Sequence, residues 1–453
     1  MVPGAYGHRQ RKNYRSMDKP VKKQKVVSGP YRLNGDDGKL YAHLNSCVHC
    51  GLCAETCVYY LATGDERLMP ARKVDLVASV YKRYHTFLGR TMPGLVGARD
   101  LDEAMADEMV DLLFGACTMC GRCSIHCSIG VDISYLVRTG RSMLAEMGKI
   151  PKTLQSSVDL ALSTGNNMGI TEEELRDTLN WLEEELRDET GDPEARIPID
   201  EPDAEYLYTL NPREPKFFPL SVTAMARVFH AAGVSWTLSS KMYDVTNYAY
   251  YTGDVSQAAT IAQHMVTEME RLRAGKLVLA ECGHGSRALR WEAPNYLGHT
   301  FPFDVITSVE LMSDFIRDGR IKVEKRQTKG PVTLHDPCNL ARTGGIWKEQ
   351  RYVLSQTVAD FVEMHPHGID NLCCGGGGGQ LAMSEYNERR MKIAECKAAQ
   401  IRNTGARIVV SPCHNCIDQL MQINGAFRMG VQIKTLSEIV ADALVSESND
   451  VTT

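Results

Sequence analysis

Apolar residues recur along this chain in two rhythms. Val74, Leu76, Val77, Val80 and Tyr81 fall at helical spacing and predict an amphipathic helix in an N-terminal helical region. Residues 171–190 predict another helix, with Thr171 as N-cap and Glu174 completing a capping box. Gly191 to Pro215 is rich in Pro, Asp and Glu and predicts a linker. From about 216 short apolar runs alternate with helical stretches, which is α/β patterning. Three of these runs, 276–282, 332–338 and 408–413, each end in a cysteine. Strand ends carry the chemistry of open α/β sheets, so cysteines placed there can converge on one crevice.

A faint internal repeat accompanies this pattern. Trp236-Thr-Leu-Ser239-Ser240 precedes Ala280-Glu-Cys282-Gly-His-Gly285 by about the distance that separates Asn371-Leu-Cys373-Cys374 from Ser411-Pro-Cys413-His-Asn-Cys416. The alignment sets Ser239 and Ser240 opposite the paired cysteines and Gly285 opposite Cys416. It predicts two pseudo-symmetric halves, one of which keeps a metal site beside an emptied twin crevice.

The expected organisation is a basic tail (1–39), a helical domain (40–150), a helix and acidic linker (151–215), an α/β domain (216–445) and a short tail (446–453). The first 32 residues hold nine Lys or Arg against one acid, Asp18, which suits a solvated tail or an arm docking on an acidic surface. The whole chain has 453 residues and a net charge of −5, giving no reason to expect nucleic-acid binding. No apolar stretch approaches the roughly 18–20 residues that cross a bilayer, so a membrane connection is expected to come from a partner. With no secretory signal pattern, and with cysteines at metal-ligand spacing, the expected location is a reducing cytoplasm.

Thirteen of the fifteen cysteines form three sets. Cys47/Cys50/Cys53/Cys57 and Cys117/Cys120/Cys123/Cys127 both have the spacing C-x2-C-x2-C-x3-C. Three thiolates at that spacing wrap one cube, and the fourth commonly ligates the neighbouring cluster. Cys47, Cys50 and Cys53 are therefore expected to join Cys127, and Cys117, Cys120 and Cys123 to join Cys57, around two [4Fe–4S] cubanes. Zinc commonly takes two separated pairs instead of a tight quartet. Val58 and Ser128 replace the proline often found after the fourth cysteine, which alters a turn and no ligand.

The third set is Cys338, Cys373–Cys374 and Cys413-x-x-Cys416. Five thiols exceed what one cubane needs, leaving either a spare thiol or a cluster with a different iron arrangement. Adjacent cysteines point apart on a strand but can converge at a strand-to-helix turn. The glycines that follow, Gly375, Gly376 and Gly377 among them, let backbone N–H groups approach sulfur. They meet no dinucleotide fingerprint, because Gln380 stands where a third spaced glycine is needed. Cys396 reads as structural. Cys282 reads equally as a relic or as an extra ligand or redox-active thiol. Among nearby histidines, His284, His335 and His414, the sequence nominates His284 and His414 as proton donors.

The pattern His-Asp-Pro-Cys338, Cys373-Cys374-Gly375 and Pro412-Cys413-x-x-Cys416 resembles the CCG domain of heterodisulfide reductase catalytic subunits. With a two-cluster ferredoxin module in front, similar to that of succinate dehydrogenase-type subunits, residues 40–445 resemble the D-type subunit of that family. The likeness is strongest to relatives in membrane redox complexes of sulfur metabolism, such as the K subunit of the dissimilatory sulfite-reduction complex. It implies a noncubane [4Fe–4S] cluster on Cys338, Cys373, Cys374, Cys413 and Cys416, and reduction of a disulfide or trisulfide, borne by a small protein or a thiol compound. The archetypal enzyme has two CCG sites where this chain has one. The implied partners are a membrane-integral cytochrome-b-like subunit, a multihaem cytochrome and ferredoxin-like subunits, at the inner face of the membrane. A rival implication is a purely electron-transferring subunit, as in flavin-dependent glycolate- or lactate-oxidising systems.

Overall fold

A computed structural model describes residues 37–445. Both basic-tail and C-terminal-tail expectations fall outside this range, apart from the few residues that start the first helix, Asp37–Ser46.

The N-terminal region is helical, as its apolar spacing predicts. Helix Pro70–His85 opens with proline in its first turn, where the missing N–H costs nothing, and closes with Lys82, Arg83 and His85 against the negative end of its dipole. Its stripe of Val74, Leu76, Val77, Val80 and Tyr81 is buried and packs on helix Ile133–Glu146. The two cysteine runs are loops held by this pair. They bend alike: His49 and Gly51 in the first, and Met119 and Gly121 in the second, all have positive φ. Left-handed residues on either side of the middle cysteine reverse the chain twice, which turns successive thiols inward. Glycine carries the second reversal without a Cβ penalty.

Helix Glu172–Thr190 has the predicted capping box, Thr171 accepting from Glu174 N–H and the Glu174 carboxylate accepting from Thr171 N–H. It packs on helix Leu220–Ala232.

The predicted linker is a correction. Tyr206–Tyr208 within it forms β1, fully buried and paired on both edges, so the α/β region begins before 216. Prolines and acids dominate the segment's composition, but Tyr206-Leu207-Tyr208 is a strand core between them, and burial on both faces removes the alternation that would have marked it.

Two parallel sheets follow. The first has the order β2-β1-β3-β4, with β2 Trp236–Thr237, β3 Lys276–Leu279 and β4 Asp304–Thr307. The second has the order β5-β6-β7, with β5 Val332–Leu334, β6 Ile408–Val410 and β7 Gln432–Lys434. A single parallel bridge from Val332 to Phe361 stands on the free side of β5, where β2 stands beside β1. Both sheets therefore follow one path: a central strand, an outer neighbour, then two strands added on the other side. Cys282, Cys338 and Cys413 each follow the carboxyl end of a strand, as the sequence predicts. No helix among the described residues is long and apolar enough to cross a membrane.

Candidate metal centres

The second cysteine loop closes a cavity lined by Cys117, Cys120 and Cys123, and the thiol that completes it is Cys57, from the first loop. Cys57 thus shares one cavity with the first three thiols of the second loop. Burial pushes the Cys57 and Cys123 thiols up, and the Lys73 ammonium opposes it. Lys73 is itself buried, donating to Leu68 O at 3.0 Å. Metal binding displaces protons from thiols held up in this way, and four thiols lining one cavity are a donor set that fits a metal–sulfur cluster. On the first loop Cys53 lies beside Cys47 and Cys50, and Cys50 is exposed. Cys127 packs half-buried against the core.

Cys338, Cys373, Cys374, Cys413 and Cys416 are all buried and contiguous. Cys374 Sγ stands 3.5 Å from Cys416 Sγ. Cys373 reaches Cys338 and Cys374, and Cys416 reaches Cys413. Backbone N–H groups point at sulfur, as the glycine run predicts: Gly375 donates to Cys373 at 3.3 Å and Gly376 to Cys374 at 3.5 Å. The turn requires glycine, since Gly375 has φ +99°. Hydrogen bonds from Cys373 and Cys416 pull the Cys374 thiol well down, against burial. Chains from three segments meeting in one buried group of thiols again fit a metal–sulfur centre.

The two thiol groups share a wall. Cys373 lines the Cys57/Cys117/Cys120/Cys123 cavity, lies within hydrogen-bonding reach of Cys120, and stands 3.3 Å from Thr118 Oγ1. The end of the glycine run makes this approach possible. A Cβ on Gly378, which has φ +64°, would stand 2.7 Å from the Thr118 carbonyl carbon. Arginines tie the contact down. Arg141 is fully buried and donates to the carbonyls of Cys117, Leu113, Tyr251 and Gly378, joining the helical region to both sheet regions. Arg342 donates to Cys120 O at 2.8 Å and Arg287 to Met119 O at 2.8 Å. These arginines escaped sequence reasoning, because a clamp on carbonyls has no spacing.

The histidines resolve differently from expectation. His284 Nε2 accepts from Gly378 N–H at 3.1 Å and its ring meets Tyr251 edge-on. His414 pairs with Glu281 O at 3.1 Å and Ser221 Oγ at 3.0 Å. Burial pushes both down to about 3, so they are neutral and occupied structurally. His335, passed over in the sequence, is the histidine beside the thiols. One of its ring nitrogens and the Cys374 and Cys416 sulfurs lie within 4.8 Å of one another. Burial, helped by Lys397, holds it below the usual histidine range. Its position three residues before Cys338 at a strand end was the available clue.

The twin crevice is a second correction. Cys282 Sγ accepts from Asn211 Nδ2 at 3.3 Å and Gly285 N at 3.4 Å, with Asn415 Nδ2 at 3.8 Å. Burial pushes its thiol up to about 12. Thr246 is the next neighbour, 3.5 Å from Asn211. Ser239 instead binds Glu268 at 2.7 Å, and the Ser240 N–H binds Asp200 at 3.1 Å. The serines follow edge strand β2, and the loop that reaches Cys282 comes a few residues later. Gly285 is pressed on Val245. Amide donors, not further thiols, surround the Cys282 sulfur. Cys396 lies half-buried on helix Asn387–Thr404, outside the three sets.

Residues 43–131 match the 4Fe-4S dicluster domain family and residues 332–421 the cysteine-rich domain family. The chain is 28% identical to Hdr-like menaquinol oxidoreductase iron-sulfur subunit 2 of Archaeoglobus fulgidus, covering 89% of this chain and 80% of the relative. It is also 28% identical to the D-type subunit of the dihydromethanophenazine:CoB--CoM heterodisulfide reductase of Methanosarcina mazei, covering 89% and 95%. The EtfAB:quinone oxidoreductase of Syntrophomonas wolfei is 24% identical over 83% of this chain and 54% of its own length.

Proposed function

We propose, from the premise that this chain belongs to the family of D-type heterodisulfide reductase subunits, that it is the disulfide- or trisulfide-reducing iron–sulfur subunit of a membrane-associated redox complex. The cofactors are two [4Fe–4S] cubanes, on Cys47/Cys50/Cys53/Cys127 and Cys57/Cys117/Cys120/Cys123, and a noncubane [4Fe–4S] cluster on Cys338, Cys373, Cys374, Cys413 and Cys416. When bound, these clusters supply single electrons and, at the third site, iron that a substrate sulfur can ligate.

The observation that carries this reading is the shared wall at Cys373. A buried five-thiol site whose wall is also the wall of a four-thiol site is built to exchange electrons with it. Cutting one S–S bond consumes two electrons and two protons and yields two thiols. The chain's own contribution is to exclude water from the five thiols, to aim the Gly375 and Gly376 N–H groups at their sulfurs, and to hold the two sites together through Arg141 and Arg342. Exposed Cys50 marks the loop nearest solvent, which suits electron entry from a partner. The names of relatives, with menaquinol in one and dihydromethanophenazine in another, support a quinol- or phenazine-linked donor; in this reading a cytochrome-b-type membrane subunit delivers those electrons to this chain at the inner face. The matching path of the two sheets supports reading them as duplicated halves, of which the second kept its metal.

A second reading, electron transfer without a sulfur substrate, draws support from the likeness to an EtfAB:quinone oxidoreductase. Paramagnetic resonance of the oxidised, iron-loaded chain with candidate thiols separates the two. The first reading expects a thiol-dependent signal that disappears in Cys374→Ser. A third centre indifferent to every thiol and persulfide partner leaves the second.

A further inference from the structure

Three histidines surround the five-thiol site, and only one lacks a structural occupation. His284 and His414 make hydrogen bonds in place. His335, 1% exposed at the carboxyl end of β5, finds no nitrogen or oxygen partner for either ring nitrogen, and its polar neighbour is the Cys374 thiol. Leaving a buried imidazole with sulfur as its sole polar neighbour is unfavourable unless a bond is made there. Asp336 next to it is not a partner, being committed to Arg351 and to Gly368 N–H.

We propose that His335 is a nitrogen ligand of the third centre, in one donor set with Cys374 and Cys416. The inference rests on the presence of that centre. Metal–sulfur and metal–nitrogen bonds of about 2.3 and 2.0 Å in tetrahedral geometry set ligand atoms roughly 3.5–3.8 Å apart. The Cys374–Cys416 separation is 3.5 Å, and the His335 nitrogen lies within 4.8 Å of both sulfurs. Iron bonding accounts for one ring nitrogen, while the other retains its hydrogen. The chemical consequence is charge. Imidazole adds a neutral donor to a buried site already carrying five thiolates, and histidine ligation in place of thiolate raises the potential of iron–sulfur centres.

The test is electron–nuclear resonance on the third-centre signal of the full, iron-loaded chain, grown with 14N- or 15N-histidine. The expected result is one strongly coupled nitrogen that changes with the isotope and is lost in His335→Ala, with the signals of the other two centres unchanged. A weak coupling typical of an N–H···S hydrogen bond, or a strong one that survives His335→Ala, overturns the assignment. The labelled parent chain decides the matter even where the variant fails to load iron. Iron content separates this failure from failure of the functional reading. About twelve irons without strong coupling sinks the histidine ligand alone, whereas about eight, with no third signal, sinks the three-cluster reading and the ligand with it.

Discussion

The loops after β1 and β3 in the first sheet and those after β5 and β6 in the second leave their strands at the same ends, but they close over different chemistry. Around Cys413 stand Cys416, Cys374 and, one step further, Cys373 and Cys338. Around Cys282 stand Asn211, Thr246 and Asn415, while Gly285 lies flat on Val245. One region holds sulfur to be bridged by metal. The other holds a single sulfur already satisfied by N–H donors. The difference teaches that a thiol cluster and a hydrogen-bonded amide cluster can fill the same loop arrangement. Where metal is absent from the plan, side-chain amides supply the cross-links. Even so the halves remain joined at the site, since Gly283 N donates to Cys413 Sγ at 3.3 Å.

The sharpest way to break this comparison is Cys374→Ser. It is expected to remove the third centre, taking iron from about twelve to about eight per chain, measured by metal analysis. Retention of all the iron would mean that the second region is no more metal-dependent than the first.

Gly378→Ala probes the contact that brings metal sites together. Its Cβ would collide with Thr118 backbone at a left-handed φ, an expected loss of about 2–4 kcal/mol from overpacking and strain, read by denaturant unfolding. Gly285→Ala, its collision being with Val245, is expected to cost about 1–3 kcal/mol with iron content unchanged. Loss of iron there would show that the first region is not metal-free.

Lys397→Met tests the electrostatics of the sulfur-rich region. Lys397 is buried, donates to Gln400, and is pushed down to about 8 by burial against the pull of Cys374 and Cys373. Removing a cation near the third centre is expected to lower its midpoint potential by about 60 mV, a tenfold change in the one-electron equilibrium. Lys397→Arg should restore most of it in a redox titration. An unchanged potential in Lys397→Met would make the lysine a packing residue.

The smallest effect is expected from Cys282→Ser: turnover and iron within about twofold, and stability within about 1 kcal/mol. The parent thiol, raised to about 12, should resist alkylation at neutral pH. A large loss of activity with all the iron present would put Cys282 into the chemistry.

Much of this arrangement was legible in the sequence, where a physical requirement leaves a spacing. Cysteine spacing announced the N-terminal groups, and the ferredoxin pattern pointed Cys57 toward the second loop, whose cavity it lines. Thr171 and Glu174 announced a helix start because the two hydrogen bonds need a fixed separation. What was illegible has a common cause: partners chosen by three-dimensional approach. Arg141 is fixed by four carbonyls from distant segments, and His335 differs from His284 and His414 only in what surrounds it. Ser239 and Ser240 misled because a short string matched while the loop that packs on Cys282 begins beyond it. β1 hid among prolines because a strand buried on both faces loses its alternation.

The shared wall at Cys373 bears on how the protein is made. Its sulfur borders a cavity whose other thiols are supplied more than two hundred residues earlier in the chain. The cavity around Cys57, Cys117, Cys120 and Cys123 therefore lacks one wall until the last third of the polypeptide has been synthesised and folded onto the first. All four of its other thiols precede the α/β region, so a chain cut between the two regions would keep those thiols together and leave them without the wall that Cys373 supplies.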